Sequence, residues 1–189
     1  VNKRRGKYET ARVYSWCGCI TAEIDPPNQT FLCNNHDITA LLNSVRDLGE
    51  PRATYLTNNK PFILPDVEWA FYGCTCTSRS ATNRKAAANI GCVQDHTDKT
   101  GEAFAYTEAY VKRPMPPKLI GEHLKALLQD TPDHECVSDG EYIIKFFQSL
   151  NYWCDACLLA ATDFGSIASR YRLIILSVRG DIYMTTLSW

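Results

Sequence analysis

The sequence predicts a mixed α+β chain, mainly β, in two parts: a disulfide-stapled N-terminal helix-plus-sheet domain and a C-terminal β-sandwich. Three observations carry that prediction. Six of the nine cysteines precede residue 93, including the motifs Cys17-Gly18-Cys19 and Cys74-Thr75-Cys76. Residues i and i+2 of a strand share a face, so each motif would present two thiols side by side, aimed at different partners. The run Arg113-Pro114-Met115-Pro116-Pro117-Lys118 then packs three prolines into four positions, which neither a helix interior nor a central strand accepts. Beyond it, β-branched and aromatic runs alternate with short turn signals. The expected boundaries are a processing remnant at 1–5, a cysteine-rich domain at 6–113, a linker at 114–118 and the sandwich at 119–189.

Taken in order, Tyr8 to Ile24 reads as a strand through the first Cys-X-Cys, stopped by Asp25-Pro26-Pro27-Asn28. Asn34 to Asp37 supply capping chemistry for a helix over 37–48, with Ile38, Leu41, Leu42, Val45 and Leu48 on one face and Gly49 as its stop. Val67 to Tyr72 reads as a strand entering the second motif, and 78–88 as a loop or short helix before Cys92. Glu102 to Lys112 alternates with period two, which predicts a strand. After the prolines, 119–129 carries helical spacing at Ile120, Leu124, Leu127 and Leu128, with a strand left open. Segments 141–150, 152–162 and 170–179 read as strands, and Gly180-Asp181 as a hairpin turn into a last strand at 182–189.

Charge and hydropathy bound the function. Lysine and arginine total 20 against 21 acids, a net charge of −1, so no basic stripe points to nucleic acid. No apolar run approaches the roughly 18 residues of a membrane span. Nine cysteines fit either bridges in an oxidising compartment or metal ligands. The spacing lacks the paired C-x2-C repeats of zinc ribbons, which favours bridges. A zinc set can be written from Cys17, Cys19, Cys33 and His36; the preferred reading makes His36 a helix-cap residue and the metal none. Cys154-Asp155-Ala156-Cys157 has redox spacing, yet no βαβ pattern precedes it and Asp155 would raise a thiol pKa. The expected bridging cysteines are Cys17, Cys19, Cys33, Cys74, Cys76 and Cys92, plus two of Cys136, Cys154 and Cys157, with the pairing left open.

Catalytic motifs are missing from the reading. There is no Gly-X-Ser-X-Gly elbow, phosphate loop or His-Glu-X-X-His, and His96, His123 and His134 stand in polar, surface-like contexts. The expectation is therefore no enzyme and no cofactor. Lys3-Arg4-Arg5 reads as a basic tail or a cleavage site for a kexin-type protease, in a chain without initiator Met that suggests a processed form. Asn28-Gln29-Thr30 is a glycosylation sequon.

The tribasic start, six early cysteines with two Cys-X-Cys motifs, proline joint and strand-rich second half together resemble the dual-domain effectors that Fusarium fungi secrete into plant xylem. That resemblance implies a secreted monomer in host xylem or apoplast, matured after Arg5, that binds host plant proteins, modulates immunity and is detected by an immune receptor. The alternatives kept beside it are a protease-inhibitor-like or glycan-binding module, and a small secreted hydrolase.

Overall fold

The computed structural model describes residues 19–49, 53–54, 56, 60–75, 77–131 and 137–186. Its first unit is a strand, helix and strand: β1 (Cys19–Ala22), α1 (Pro26–Asn35) and β2 (Ile38–Leu42), with the two strands parallel. A parallel pair needs a crossover, and α1 provides it. Pro26 and Pro27 were expected to end structure here. They instead open α1, because proline's missing N–H costs nothing in the first helical turn. The expected helix over 37–48 is corrected: Ile38–Leu42 is a strand, and only the short α2 (Val45–Gly49) is helical. Ala40, Leu41 and Leu42 are all buried, so the strand hides both faces, and a continuous apolar run of that kind carries no period to separate it from a helix. Two short strands, β3 (Ala53–Thr54) and β4 (Pro61–Phe62), pair antiparallel.

A second crossover follows the same plan. β5 (Trp69–Tyr72) leads through a long loop into α3 (Asp98–Val111) and returns parallel as β6 (Lys118–Leu124). The chain then forms α4 (Asp139–Ser149), β7 (Tyr152–Ala160), β8 (Tyr171–Arg179) and α5 (Gly180–Thr186). The sheet order is β5-β6-β8-β7, with β8 antiparallel to both neighbours. Strands expected at 152–162 and 170–179 are β7 and β8. Those expected at 102–112 and 141–150 fall in α3 and α4, and of the one expected at 182–189 the described residues, 182–186, lie in α5. In α3 the buried residues Phe104, Thr107, Glu108 and Val111 recur at helical spacing, and the apparent alternation came from alanines set between aromatic residues. In α4 the Ser138 hydroxyl accepts the Glu141 N–H at 3.1 Å, capping a helix whose Ile143, Phe146 and Phe147 face the sheet.

The core lies between that sheet and α3 with α4. Leu119 of β6, Leu173 and Ile175 of β8 and Tyr152 of β7 meet Phe104, Val111, Ile143 and Phe147 from the helices. The C-terminal β-sandwich is thus corrected to a mixed α/β sheet with helices packed on it. β5 comes from before the prolines and β6 from after them, so residues 114–118 join elements of one sheet. The stapled scaffold is corrected as well: Cys33, Cys92, Cys154 and Cys157 are free thiols. Cys17, Cys76 and Cys136 lie outside the described residues, as do Lys3, Arg4 and Arg5; of Cys19 only the backbone, in β1, is described.

Candidate functional site

In an open α/β sheet, ligands meet the crevice beyond the carboxyl ends of the parallel strands. Here that rim carries the loop after β5, the turn after β6 and, because β7 and β8 run antiparallel, the tip of their hairpin. The register puts Leu124 at the end of β6 opposite Arg172 and Ala160 at the end of β7 opposite Tyr171.

The loop starts at Gly73 and runs through the second Cys-X-Cys. It is anchored on the first turn of α3. The Thr100 hydroxyl donates to the Thr75 carbonyl at 2.6 Å, the Thr100 N–H donates to Ser78 Oγ at 3.2 Å, and Ser78 Oγ donates to Asp98 Oδ1 at 2.6 Å. The Ser78 hydrogen bond holds the Asp98 carboxyl below its ordinary pKa. Asn83 and Asn89 both donate to the Ser78 carbonyl. Arg79, 2% exposed, then crosses to the next strand's turn: its guanidinium donates to Ala86 O at 2.8 Å, Ala126 O at 2.9 Å and Gln129 Oε1 at 2.7 Å. The loop after β5 is thereby fastened to the turn after β6.

Beside this loop stands Glu122 of β6. Its carboxylate is ion-paired to Arg172 of β8 and lies 3.8 Å from the Arg170 guanidinium. A Cβ built on Gly73 would sit 3.9 Å from Glu122 Oε2, so the backbone at the head of the loop passes directly against that carboxylate. Behind it, His123 is 1% exposed, its Nε2 has no hydrogen-bond partner, and burial pushes its pKa down to about 4. The His123 ring meets Tyr72 edge-on at 5.2 Å. A methyl group at Gly121 would collide with both rings, so only glycine lets them converge there. A small cavity opens among Cys74, Thr75, Arg79, Thr100, His123 and Leu127.

The thiols divide by environment. Cys74 is buried in the core cluster, Cys92 is pushed up to about 11 by burial and by Asp139, and Cys154 is raised by burial while its Sγ donates to Ser177 Oγ at 3.4 Å. A raised thiol stays protonated and makes a poor nucleophile. Cys33, exposed on α1, and His36, the C-cap of that helix, lie on the β1–β2 unit. Asn28 is exposed on α1. At the carboxyl end of β1, Glu23 Oε1 accepts the Asp25 N–H at 2.9 Å, and Gln29 links the Glu23 carbonyl to Asn43 beyond β2. Sequence reasoning singled out the second Cys-X-Cys as structural and passed over Glu122, Arg79, Arg170 and Arg172. Their signal was slight: a lone acid and scattered arginines that only the strand order gathers.

No family model and no curated protein matches the sequence. Solved structures do. The Entamoeba histolytica methyltransferase EhMeth superposes with a TM-score of 0.56 at 10% identity, over 84% of this chain and 44% of its own. Dnmt2 methyltransferase of S. pombe gives 0.52 at 13% identity, over 85% and 41%. An E. coli protein described as a prophage-encoded DNA modification methyltransferase gives 0.55 at 13% identity, over 87% and 40%. The chain spans about two fifths of the length of these structures. At such identities the likeness shows the fold, a Rossmann-like methyltransferase fold. It overturns the effector resemblance and the secreted-binder function drawn from it, since the fold's neighbours are methyltransferases and Cys33, Cys92, Cys154 and Cys157, among the described residues, are free thiols. The inhibitor-like, glycan-binding and hydrolase alternatives, and the expectation of a non-enzyme, are corrected on the same finding.

Proposed function

We propose that this chain carries the methyl-accepting half of a methyltransferase site, acting on a base of a nucleic acid. The observation that supports it is the placement of Gly73, which opens the loop carrying Cys74, against Glu122 of the Glu122–Arg172 ion pair at the carboxyl ends of two parallel strands. One of the structural neighbours is described as modifying DNA, and the other two as methyltransferases. The proposal departs from the expectation that nucleic acid is no partner. An overall charge of −1 averages over the chain, whereas the rim gathers Lys125, Arg170 and Arg172 around a single paired glutamate.

The chemistry asks for a nucleophile and a proton-handling group on the same ring. Cys74 lines the small cavity with Thr75, Arg79 and His123 and is assigned the nucleophile: its thiolate adds to an electron-poor ring carbon and makes the neighbouring carbon electron-rich, that carbon takes the methyl group and gives up its proton to a solvent base, and the thiolate leaves as the ring double bond re-forms. Glu122 holds the ring's N–H edge and moves the proton there as charge builds. Arg172 keeps that carboxylate in place, and Arg170 is at hand for a ring oxygen or phosphate. A methyl donor of the S-adenosylmethionine type would supply the methyl group. Glu23 at the carboxyl end of β1 fits its ribose hydroxyls, as an acid does in a βαβ nucleotide site.

Methyl transfer from labelled S-adenosylmethionine to DNA and RNA by the full chain tests this. Cys74→Ser should abolish incorporation with far-UV circular dichroism unchanged, and Glu122→Gln should lower kcat by roughly 10²- to 10⁴-fold. No transfer to either nucleic acid, or full activity in the Cys74→Ser protein, refutes the reading.

A further inference from the structure

The β7–β8 hairpin tip displays large apolar side chains that no packing explains. Ile167 is 105% exposed, Phe164 74% and Tyr171 45%. The tip is nevertheless built rather than loose. Ala161 N–H donates to Arg170 O at 2.8 Å, Ser166 N–H to Ala161 O at 3.1 Å, Gly165 N–H to Thr162 O at 3.1 Å and Ala168 N–H to Ser166 Oγ at 3.1 Å. Gly165 takes φ +84, a left-handed conformation that turns the chain at the apex. A tip held this firmly keeps Phe164 and Ile167 in water at a standing cost, which points to a partner that covers them.

Charge identifies that partner. Arg170 and Arg172 flank the tip at the head of β8, and Lys125, from the turn after β6, lies over the Tyr171 ring at 5.3 Å. Against them stand Glu122, already paired to the arginines, and Asp163 on the tip itself. An apolar wedge set among cations matches the side chains that enter nucleic-acid base steps, where Phe or Ile fills the gap in the stack while Lys and Arg hold the phosphates. A base that is to react must leave its stack, and the vacated space has to be filled or paid for.

We infer that the hairpin tip is a nucleic-acid wedge, with Ile167 and Phe164 inserted into the base stack beside the extruded base and Lys125 and Arg170 on the flanking phosphates. The inference rests on the proposed action on a nucleic-acid base, and it adds a stack-opening element that is separate from the reacting groups. Both wedge residues are exposed, so polar replacements leave the core untouched.

The full chain is titrated into duplex oligonucleotides with 2-aminopurine next to the target position, alongside the Phe164→Ser/Ile167→Ser double variant and Lys125→Gln. Wild type should raise the 2-aminopurine fluorescence on binding. The double variant should lose most of that rise and bind roughly tenfold more weakly, with far-UV circular dichroism unchanged. Lys125→Gln should keep the fluorescence rise and lower the salt dependence of binding. An unchanged rise in the double variant overturns the wedge, as does a wild type that binds no nucleic acid or a tip that binds only protein. Binding with the fluorescence rise but no methyl transfer would sink the enzymatic reading alone, whereas methyl transfer with an unaltered double variant would sink the wedge alone.

Discussion

His123 shows how one residue ties the site to the fold. Its imidazole is buried behind the loop after β5, between Tyr72 and the cavity, and burial lowers its pKa from 6.5 to about 4. The folded state therefore excludes a proton that the unfolded chain binds, so stability from this group is complete above pH 6.5 and is lost as pH falls toward 4. The loss amounts to about 3 kcal/mol at full protonation. Urea midpoints measured from pH 7 to pH 4.5 should fall more steeply for wild type than for His123→Asn, and parallel curves would contradict the buried neutral imidazole. Gly165 offers a second residue-scale test. Nothing lies within 4 Å of a Cβ built there, so only the left-handed φ resists substitution. Gly165→Ala should cost about 1 kcal/mol through the backbone, a modest fall in urea midpoint without a change in the near-UV spectrum. A midpoint at or above wild type would show that the turn carries no such strain.

At the scale of elements, the sequence signalled some strands clearly and misled on others for physical reasons. β7 and β8 stood out because their β-branched and aromatic runs end at Gly and Ser turns. Ile38–Leu42 did not, since a strand buried on both faces and a helix face look alike over so short an apolar run. α4 reads as a strand from sequence because Tyr142, Ile143, Ile144, Phe146 and Phe147 are individually β-formers, although Ser138 and Glu141 spell a helix start. The site was half legible. Its Cys-X-Cys is plain in the sequence, but its partners on β6 and β8 come from distant sequence, and only the order β5-β6-β8 brings them together. Arg79 is the joint between those elements. Its guanidinium serves three acceptors on two separate segments, which a lysine's single ammonium cannot match. Arg79→Lys should lower stability by about 2 kcal/mol, the cost of leaving buried carbonyls short of donors. It should also loosen the loop, read as faster amide exchange at Thr75 and Ser78. Unchanged exchange there would show that α3's first turn holds the loop alone.

For the molecule as a whole, two architectures make opposite demands on unfolding. Two domains joined at 114–118, the first stapled, would unfold in two steps, and reduction would release the first domain early. The structure replaces this with one sheet whose parallel pair β5–β6 spans the proline segment, covered by a core that draws Phe104 and Val111 from before it and Ile143, Phe147 and Leu173 from after it. Phe147 sits at the centre, 0% exposed, its ring 5.7 Å from Tyr72, 5.1 Å from Phe146 and 5.9 Å from Tyr152. Removing it should therefore weaken both halves together: Phe147→Ala is expected to cost about 3–5 kcal/mol and to move fluorescence and circular-dichroism transitions by the same amount. The free thiols make the second demand. A bridge closing a loop of about 15 residues adds roughly 3 kcal/mol, so a bridged chain would lose that much on reduction, whereas a chain held by this core would keep its urea midpoint. Equal midpoints with and without reductant, and a single transition by both probes, are the expected results. A first half that unfolds separately once reduced would return the chain to a stapled domain and remove the continuous sheet on which the site depends.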